Sequence, residues 1–276
     1  QSMLLRLLKD LDKKRYDATV VVLTDSGYFD SIRDLGIPLV SIGMKKSSFN
    51  IFLLYRLYRE ILDIFPDVIH TWMYHSDLIG GLIAKLIGIK RIVWGVRSAD
   101  FFSSDTPLST KLIVKACAWL SSSIPDVILY NSHKGLDFHN KLGYAQSKSR
   151  VIYNGVDIDR FMAKDISRIE LRSKLNVKYG TKIIGIIARY DYLKNHEGFI
   201  EMASYIQDGD KDYHYLMIGD NIVNNSRLIS LLQERNLSEK FHLIDSVSDI
   251  ENIIAGLDVV VITSLSEAFP NVLIES

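Results

Sequence analysis

The chain of 276 residues is long enough for two domains of ordinary size, each with its own core. It carries 33 Lys and Arg residues and 33 Asp and Glu residues, so no overall charge favours nucleic acid, and we predict no nucleic-acid partner. The single cysteine, Cys117, excludes an internal disulfide, and no Cys and His spacing is typical of a zinc site. We therefore predict a reducing compartment and a small, buried Cys117 side chain.

The opening stretch, QSMLLRLLKDLDKKR, has the pattern of an amphipathic helix and lacks the apolar core and cleavage site of a signal peptide. No apolar run reaches the ~20 residues of a membrane span. We expect a soluble or peripheral protein, either free in the cytoplasm or at the inner face of the membrane. Because the chain starts at Gln1 and stops after Ser276, we also expect it to begin and end inside a domain.

Short β-branched runs alternate with longer helical patterns along the chain. Apolar runs without strict alternation, separated by helices, are typical of parallel strands covered on both faces. We therefore predict an α/β fold of two doubly wound parallel-sheet domains, residues 1–155 and 156–276, with the seam near the turn signal Asn154-Gly155. The predicted strands cover residues 18–24, 38–43, 67–72, 91–96, 126–131, 150–154, 182–188, 213–219, 241–244 and 258–263.

Two cations follow the first strand of the second domain. Arg189 comes directly after this strand, and Lys194 precedes a helix predicted to start near Asn195. Ligands of open parallel sheets bind beyond the carboxyl ends of the strands, and a diphosphate accepts both Arg and Lys contacts. The pair therefore indicates a diphosphate site, although solvated loop charges are the alternative.

The last predicted strand runs into SLSEAFPNVLIES, residues 264–276. Pro270 favours a helix starting at about that residue, whose N–H groups from Asn271 and Val272 onward would bind an anion. Glu267 and Glu275 would flank that anion, one on sugar hydroxyls and one on ribose hydroxyls. The alternative is that Glu267 is an ordinary loop charge and Glu275 an ordinary helix glutamate, without a ligand. After the second strand of this domain, Gly219 would let a ligand approach the backbone.

The first domain also places polar side chains after its strands. His70 and His75 follow one strand, and Arg97 and Asp100 follow the next, so these side chains are candidates for a binding edge. The alternative for the first pair is packed histidines beside a helix capped by Ser76 or Asp77. Ser132 is predicted to be a helix N-cap rather than a nucleophile.

A basic and aromatic segment, MKKSSFNIFLLYRLYREILDIF, occupies residues 44–65. Such an amphipathic segment could rest on a membrane surface or grip a lipid-linked acceptor. Packing of a helix against the sheet explains its apolar positions equally well.

Four stretches of the chain, in this order and spacing, carry a resemblance to a known family. VIYNGVDIDRF, IIARYDYLKNHEGFI, YHYLMIGD and SLSEAFPNVLIE resemble the retaining nucleotide-sugar glycosyltransferases of family 4, which have the GT-B fold. The most specific feature is Arg189 with Lys194 combined with the pair Glu267 and Glu275. Residues 70–100 are similar to the acceptor-side domain of bacterial members that build cell-surface polysaccharides.

The resemblance implies two Rossmann-like domains that face a cleft: an acceptor-side domain over 1–155 without the family's first strand, and a donor domain over 156–276 without its closing helices. It implies a UDP- or GDP-sugar donor and a glycan or lipid-linked acceptor, transfer with retention, and no metal or other cofactor. Arg189 and Lys194 would hold the diphosphate, Glu267 the transferred sugar, Glu275 the ribose, and the backbone near Ile244 to Val247 the base. The predicted donor-binding residues are Arg189, Lys194, Gly219, Ile244, Val247, Glu267, Ala268, Phe269, Pro270, Asn271, Val272 and Glu275. The predicted catalytic residues are Glu267, Arg189, Lys194 and Arg97, and the acceptor-side candidates are His75, Arg97 and Asp100.

Three departures from the family pattern stand in this sequence. Ala268 replaces a usual glycine, Asp245 stands where glycine is common, and Arg97 lies near the place of a family histidine. The first two would narrow the donor pocket. Two other functions stay open from the sequence: a GT-B nucleotide-sugar epimerase, and a silent GT-B subunit that assists an active partner.

Overall fold

The computed structural model describes residues 2–24, 29–44, 50–99, 106–161, 165–206, 212–247 and 249–276. The chain divides into two compact units, Gln1–Gly155 and Val156–Ser276. Within the described residues, none of the helices is long and apolar enough to cross a membrane.

The first unit alternates helices and strands, as the sequence pattern predicts. Its main sheet has four parallel strands in the order β3-β4-β5-β6, and β1 and β2 form a separate parallel pair. The elements are α1 (Ser2–Lys9), β1 (Val20–Val22), α2 (Phe29–Asp34), β2 (Leu39–Ser41), α3 (Ile51–Ile64), β3 (Val68–Trp72), α4 (Tyr74–Ile87), β4 (Arg91–Val96), α5 (Leu108–Leu120), β5 (Val127–Tyr130), α6 (His133–Lys141) and β6 (Ser149–Val151).

The core of the first unit lies between the main sheet and helices α4 and α5. Trp94 of β4 and Ile128 of β5 are fully buried there, together with Cys117 of α5. The predicted burial of Cys117 is confirmed. A second cluster around Ile42 and Leu57 joins the small sheet to α3 and α4, so the two sheets share one helical layer.

The second unit contains one parallel sheet of four strands in the order β10-β7-β8-β9. Side chains on both faces of its strands are buried, for example Ile183 on one face of β7 and Ile186 on the other. This burial explains the continuous apolar runs in the sequence. The elements are α7 (Asp165–Lys174), β7 (Lys182–Ile187), α8 (His196–Ile206), β8 (Tyr213–Ile218), α9 (Ser226–Glu234), β9 (Phe241–Ile244), α10 (Ile250–Gly256), β10 (Val259–Val260) and α11 (Asn271–Glu275).

The predicted caps of two helices have different outcomes. Ser132 is the N-cap of α6, since its hydroxyl accepts a hydrogen bond from the Gly135 N–H at 3.0 Å, which confirms the prediction. The prediction of Ser76 or Asp77 as the cap of α4 is wrong. That helix starts earlier, at Tyr74, because the Tyr74 side chain is buried in the core and Met73 takes the cap position without a side-chain bond.

Candidate functional site

The strand order of the second unit creates a topological switch between β7 and β10. The chain leaves β7 towards β8 on one side and later returns to β10 on the other side. In open parallel sheets, ligands bind outside the carboxyl ends of the strands at such a point. The loop after β7 carries Arg189 and Lys194, and the loop after β10 carries Glu267, so the two predicted halves of the site start from adjacent strands.

Hydrogen bonds join these two loops. The Thr263 hydroxyl is 3.0 Å from the Lys194 carbonyl and 2.8 Å from the Asn195 carbonyl. The Leu265 N–H donates to the Leu193 carbonyl at 2.8 Å. The sheet edge therefore supports one continuous surface rather than two independent loops.

Asn195 fixes the end of the first loop and the start of α8. It lies in the left-handed region with φ 52°, and its Oδ1 accepts from the Gly198 N–H at 3.1 Å while its Nδ2 donates to the Thr263 carbonyl at 3.1 Å. Asparagine tolerates this backbone region better than most residues. One side chain thus caps α8 and binds the opposite loop.

Lys194 and Glu267 meet at the switch point. The Lys194 Nζ lies 2.5 Å from the Glu267 Oε1, and the Ser264 hydroxyl donates to the same oxygen at 2.7 Å. The two side chains are 30% and 22% exposed, so the pair is partly shielded from water yet open to a ligand. The site combines a cation that can bind phosphate with a carboxylate that can accept hydrogen bonds from hydroxyl groups.

Arg189 lies in the same loop with 69% of its side chain exposed. Its guanidinium contacts Asp191 at 3.1 Å, and the other oxygen of Asp191 accepts from the Leu193 N–H at 3.0 Å. The aspartate therefore shapes the loop and orients the arginine at its surface.

Gly219 has a structural role at the neighbouring strand end. With φ 154°, a side chain there would place its Cβ 2.1 Å from the Ala188 carbonyl oxygen, so only glycine lets the two strand ends approach. Approach of a ligand to the Gly219 backbone stays a prediction. Buried His196 donates from Nε2 to the same carbonyl at 3.1 Å, and burial lowers the pKa of this histidine.

The residues predicted to receive the base lie at the end of β9. Ile244 accepts from the Gly219 N–H at 3.1 Å, and its side chain packs with Val247 against the core cluster around Leu216. Asp245 is exposed between them. The backbone near Ile244 is therefore held beside the loop that carries Arg189.

Helix α11 starts at Asn271, with Pro270 in the cap position, one residue after the predicted start. Ala268 and Phe269 lie half-buried in the loop before it, and Val272 is half-buried in its first turn.

Glu275, the last residue of α11, contributes to a charged group around Arg160. The Arg160 guanidinium contacts Glu251 at 2.9 Å, which is the main reason why its pKa is raised, and Glu275 adds to this effect. The structure thus places Glu275 near a cation that the sequence analysis did not single out.

The first unit brings Arg97 together with an aromatic ring and an amide. Its guanidinium lies 4.1 Å from the centre of the Trp72 ring and donates to the Asn154 Oδ1 at 2.7 Å. Partial desolvation and the charge of Arg97 lower the pKa of His70, although part of this residue is exposed to solvent. Sequence reasoning missed Trp72 and read Asn154 only as a turn signal.

The turn that follows β3 has an unusual backbone. Met73 has φ 75° and ψ 153°, a region that residues with a side chain rarely adopt. Its N–H donates to the Gly95 carbonyl and its carbonyl accepts from the Asp77 N–H. This turn leaves His75 exposed at the start of α4. Asp100, the remaining acceptor-side candidate, lies outside the described residues.

In the described parts of the chain, no three or more His, Cys, Asp or Glu side chains are grouped so that they could hold a metal ion. Independence from metals stays a prediction.

Two family models match the chain, one in each half. The model described as Glycosyltransferase Family 4 matches residues 1–160. The model described as Glycosyl transferases group 1 matches residues 167–276.

Curated relatives are identical to the chain at about a quarter of the aligned positions. The UDP-Gal:alpha-D-GlcNAc-diphosphoundecaprenol alpha-1,3-galactosyltransferase of Escherichia coli is 27% identical over 254 residues, which is 90% of this chain and 64% of that protein. The N,N'-diacetylbacillosaminyl-diphospho-undecaprenol alpha-1,3-N-acetylgalactosaminyltransferase of Campylobacter jejuni is 24% identical over 275 residues, 96% of this chain and 71% of that protein. The chain thus spans less than two thirds of the length of the first relative.

Solved structures show the same fold. The complex of Anabaena HepE with UDP-glucose has a TM-score of 0.82 at 18% identity and covers 99% of this chain and 73% of HepE. WaaG, a glycosyltransferase involved in lipopolysaccharide biosynthesis, has a TM-score of 0.70 at 13% identity and covers 100% of this chain and 74% of WaaG. The predicted α/β fold of GT-B type, with two Rossmann-like parallel-sheet domains, is confirmed.

Proposed function

Because the chain belongs to glycosyltransferase family 4, we propose that it transfers a sugar from a nucleotide-diphosphate sugar to a lipid-linked saccharide. One observation carries the proposal: Lys194 and Glu267, from the loops after two adjacent strands, meet at the topological switch of the second unit. A cation for the diphosphate and a carboxylate for the sugar are what a nucleotide-sugar site requires.

The donor proposed is a UDP-sugar, and the acceptor is a saccharide on diphosphoundecaprenol. Both relatives described above act on diphosphoundecaprenol-linked substrates, and one of them uses UDP-Gal. The structural neighbour HepE was solved with UDP-glucose. These similarities support a UDP-sugar donor and a diphosphoundecaprenol-linked acceptor for this chain, and with them a role in polysaccharide biosynthesis.

The charged residues of the predicted donor site have separate roles in this proposal. Lys194 and Arg189 bind the diphosphate and stabilise the charge that develops on the leaving group. Glu267 exchanges its ion pair for hydroxyl groups of the transferred sugar, and Glu275 binds the ribose. The base lies along the backbone near Ile244, and the loop of Ala268 and Phe269 with the first turn of α11 completes the donor site.

The proposed chemistry retains the configuration at the anomeric carbon. The bond between that carbon and the diphosphate oxygen breaks, and the acceptor oxygen forms its new bond on the same face of the sugar. The acceptor hydroxyl proton passes to a phosphate oxygen of the departing nucleotide. No step requires a metal ion. Arg97, His75 and Asp100 are proposed to bind the acceptor.

Donor binding and product formation test this proposal directly. Titration calorimetry with UDP-glucose, UDP-galactose, UDP-N-acetylglucosamine and GDP-mannose should show binding of a UDP-sugar. Arg189→Ala should weaken that binding by about ten- to a hundred-fold, the usual effect of losing a charge-assisted hydrogen bond. The matched control is Arg235→Ala, because Arg235 is also exposed in the second unit and pairs with Glu201.

The products separate the alternatives. Incubation with a UDP-sugar and a diphosphoundecaprenol-linked saccharide should extend the lipid-linked product by one sugar, and Glu267→Gln should slow this extension. An altered free sugar without acceptor would instead indicate the epimerase, and binding without turnover would indicate the silent subunit. If no nucleotide sugar binds, or if Arg189→Ala binds as well as the parent, the donor site is assigned wrongly.

A further inference from the structure

Two histidines meet at the edge of the second unit's sheet where its strands begin. His214 and His242 are the second residues of β8 and β9. His242 pairs with Leu216, two residues beyond His214, so both imidazoles lie on the same face of the sheet. Nδ1 of His214 is 2.9 Å from Nε2 of His242. The candidate donor residues follow the opposite ends of the strands, so this pair is separate from them.

A single proton joins the two facing nitrogens. In a neutral pair one nitrogen donates this proton and the other accepts it with a lone pair. If each imidazole instead carries its proton on its outer nitrogen, both facing nitrogens present lone pairs to a shared ligand. Neutral imidazole nitrogens are ligands of Zn²⁺, Cu²⁺ and Ni²⁺. The pair can therefore exchange its hydrogen bond for a metal ion without a net loss of protons.

A carboxylate faces the outer nitrogen of His214. Oδ1 of Asp212 is 3.9 Å from this nitrogen, and the same oxygen is 2.7 Å from Nζ of Lys240. The other oxygen of Asp212 accepts from the Thr181 hydroxyl at 2.7 Å, so the carboxylate is fixed from two sides. A carboxylate behind a histidine favours the proton on the outer nitrogen and is the usual partner of a histidine that binds a metal.

Both imidazoles remain partly open to water. The side chain of His214 is 15% exposed, and His242 is half-buried. Water can therefore complete the coordination of an ion that the protein holds with two nitrogens, as in metal sites that keep open positions. Such a site is smaller than the groups of three or more metal ligands that the described residues lack.

The distance between the facing nitrogens selects the kind of metal. Bonds of about 2.0–2.1 Å place two nitrogens ~2.9 Å apart when they bind at right angles, and ~3.3 Å apart when they bind at a tetrahedral angle. The 2.9 Å in this structure fits the right angle. Cu²⁺ and Ni²⁺ prefer square-planar or tetragonal sites, whereas Zn²⁺ prefers tetrahedral ones.

We propose that His214 and His242 bind a divalent transition-metal ion, Cu²⁺ or Ni²⁺, through their facing nitrogens. The bound ion joins β8 to β9 at the amino ends of the strands and takes no part in sugar transfer. Asp212 faces the protonated outer nitrogen of His214, and Lys240 opposes the ion with its like charge. This site goes beyond the proposed function and does not depend on it.

Titration calorimetry with NiCl₂ tests the site on the untagged protein at neutral pH, after EDTA treatment and dialysis. His214→Ala and His242→Ala should each lower the affinity of the parent about ten-fold or more, because each removes one of the two ligands. Asp212→Asn should lower the affinity about ten-fold, which is the usual effect of losing the partner of a metal-binding histidine.

Two further variants separate the site from general effects. Lys240→Gln should raise the affinity about three-fold, because it removes a like charge. A gain in affinity cannot result from a loss of folding. His133→Ala removes an exposed imidazole on α6 of the first unit and should bind Ni²⁺ like the parent. Circular dichroism should show that every variant is folded.

Electron paramagnetic resonance with Cu²⁺ identifies the ligands. With one ion per chain, the spectrum of the parent should show coupling to two nitrogens, and that of His242→Ala coupling to one. The site is overturned if the parent binds no Ni²⁺, if both alanine variants bind it like the parent, or if Cu²⁺ couples to fewer than two nitrogens. Tighter binding of Zn²⁺ than of Ni²⁺ would overturn the right-angle geometry. Donor binding is measured separately in EDTA, so failure here leaves the proposed function intact.

Discussion

Asp77 is a carboxylate held in the core of the first unit. It is fully buried, its Oδ1 accepts from the Thr71 hydroxyl at 2.6 Å, and its Oδ2 has no partner among the described residues. Burial raises the pKa of Asp77 to about 7. Burial lowers the pKa of His139, in the same core, to about 4.

These shifts act on stability with opposite signs. Between about pH 4 and 7 the folded state keeps a proton on Asp77 that the unfolded state releases. The contribution of Asp77 to the free energy of unfolding therefore falls as the pH rises. Between about pH 6.5 and 4 the unfolded state protonates His139 while the folded state does not, so the contribution of His139 to the free energy of unfolding falls as the pH drops. Asp77 thus offsets His139.

Replacing Asp77 removes this offset. Asp77→Asn should make the free energy of unfolding fall more steeply on acidification from pH 6.5 to 4.5, by about 1.4 kcal/mol per pH unit. Urea denaturation followed by tryptophan fluorescence measures this in the first unit, because all three tryptophans lie there. Asp67→Asn, at an exposed carboxylate of the same unit, should keep the parent slope. Equal slopes for Asp77→Asn and the parent would show that Asp77 does not titrate in this range.

At the scale of elements, the junction between the loop after β7 and helix α8 depends on Asn195. Asn195→Ala should destabilise the second unit by about 2 kcal/mol, since it removes a helix cap and places alanine in the left-handed region. Asn195→Gly also loses the cap, but glycine adopts the left-handed backbone without strain. This variant should therefore be destabilised by about 1 kcal/mol less than the alanine variant. Hydrogen exchange of the α8 amides measures both changes. If both variants exchange alike, the left-handed backbone of Asn195 carries no cost.

The predicted strands show what the sequence determines and what it leaves to packing. All ten occur where apolar runs predict them, and the run 182–188 gives β7 with one residue trimmed. The run 258–263 gives only β10, Val259–Val260, because this edge strand pairs with β7 alone. The start of α4 was missed because Asp77 bonds to Thr71 across the core instead of capping the helix.

The candidate site likewise combines features that the sequence predicts with features that only the packing reveals. Lys194 and Glu267 follow strands, so the pattern of parallel strands predicts that they share an edge. Their support by Thr263 was not predicted, because contacts between residues so distant in the chain leave no local signal. Gly219 was selected for its conformational freedom, and that freedom lets its backbone approach Ala188, while its contact with a ligand stays a prediction.

At the scale of the whole molecule, the predicted donor residues all belong to the second unit, which has its own core around its four-stranded sheet. Ligand binding stabilises the folded state of the unit that holds the site. The two units therefore offer an internal comparison, in which one half of the chain responds to donor and the other serves as its reference.

Hydrogen exchange with and without UDP-sugar should reveal this difference. At a donor concentration of about 100 times its Kd, amides of β7 and β8 that exchange by opening of the whole unit should slow about 100-fold, which corresponds to ~2.7 kcal/mol. Amides of β4 and β5 in the first unit should be unchanged. The Arg189→Ala variant at the same donor concentration should lose most of the slowing. Protection of β4 and β5 without protection of β7 and β8 would place the donor on the first unit and overturn the assignment of Lys194 and Glu267.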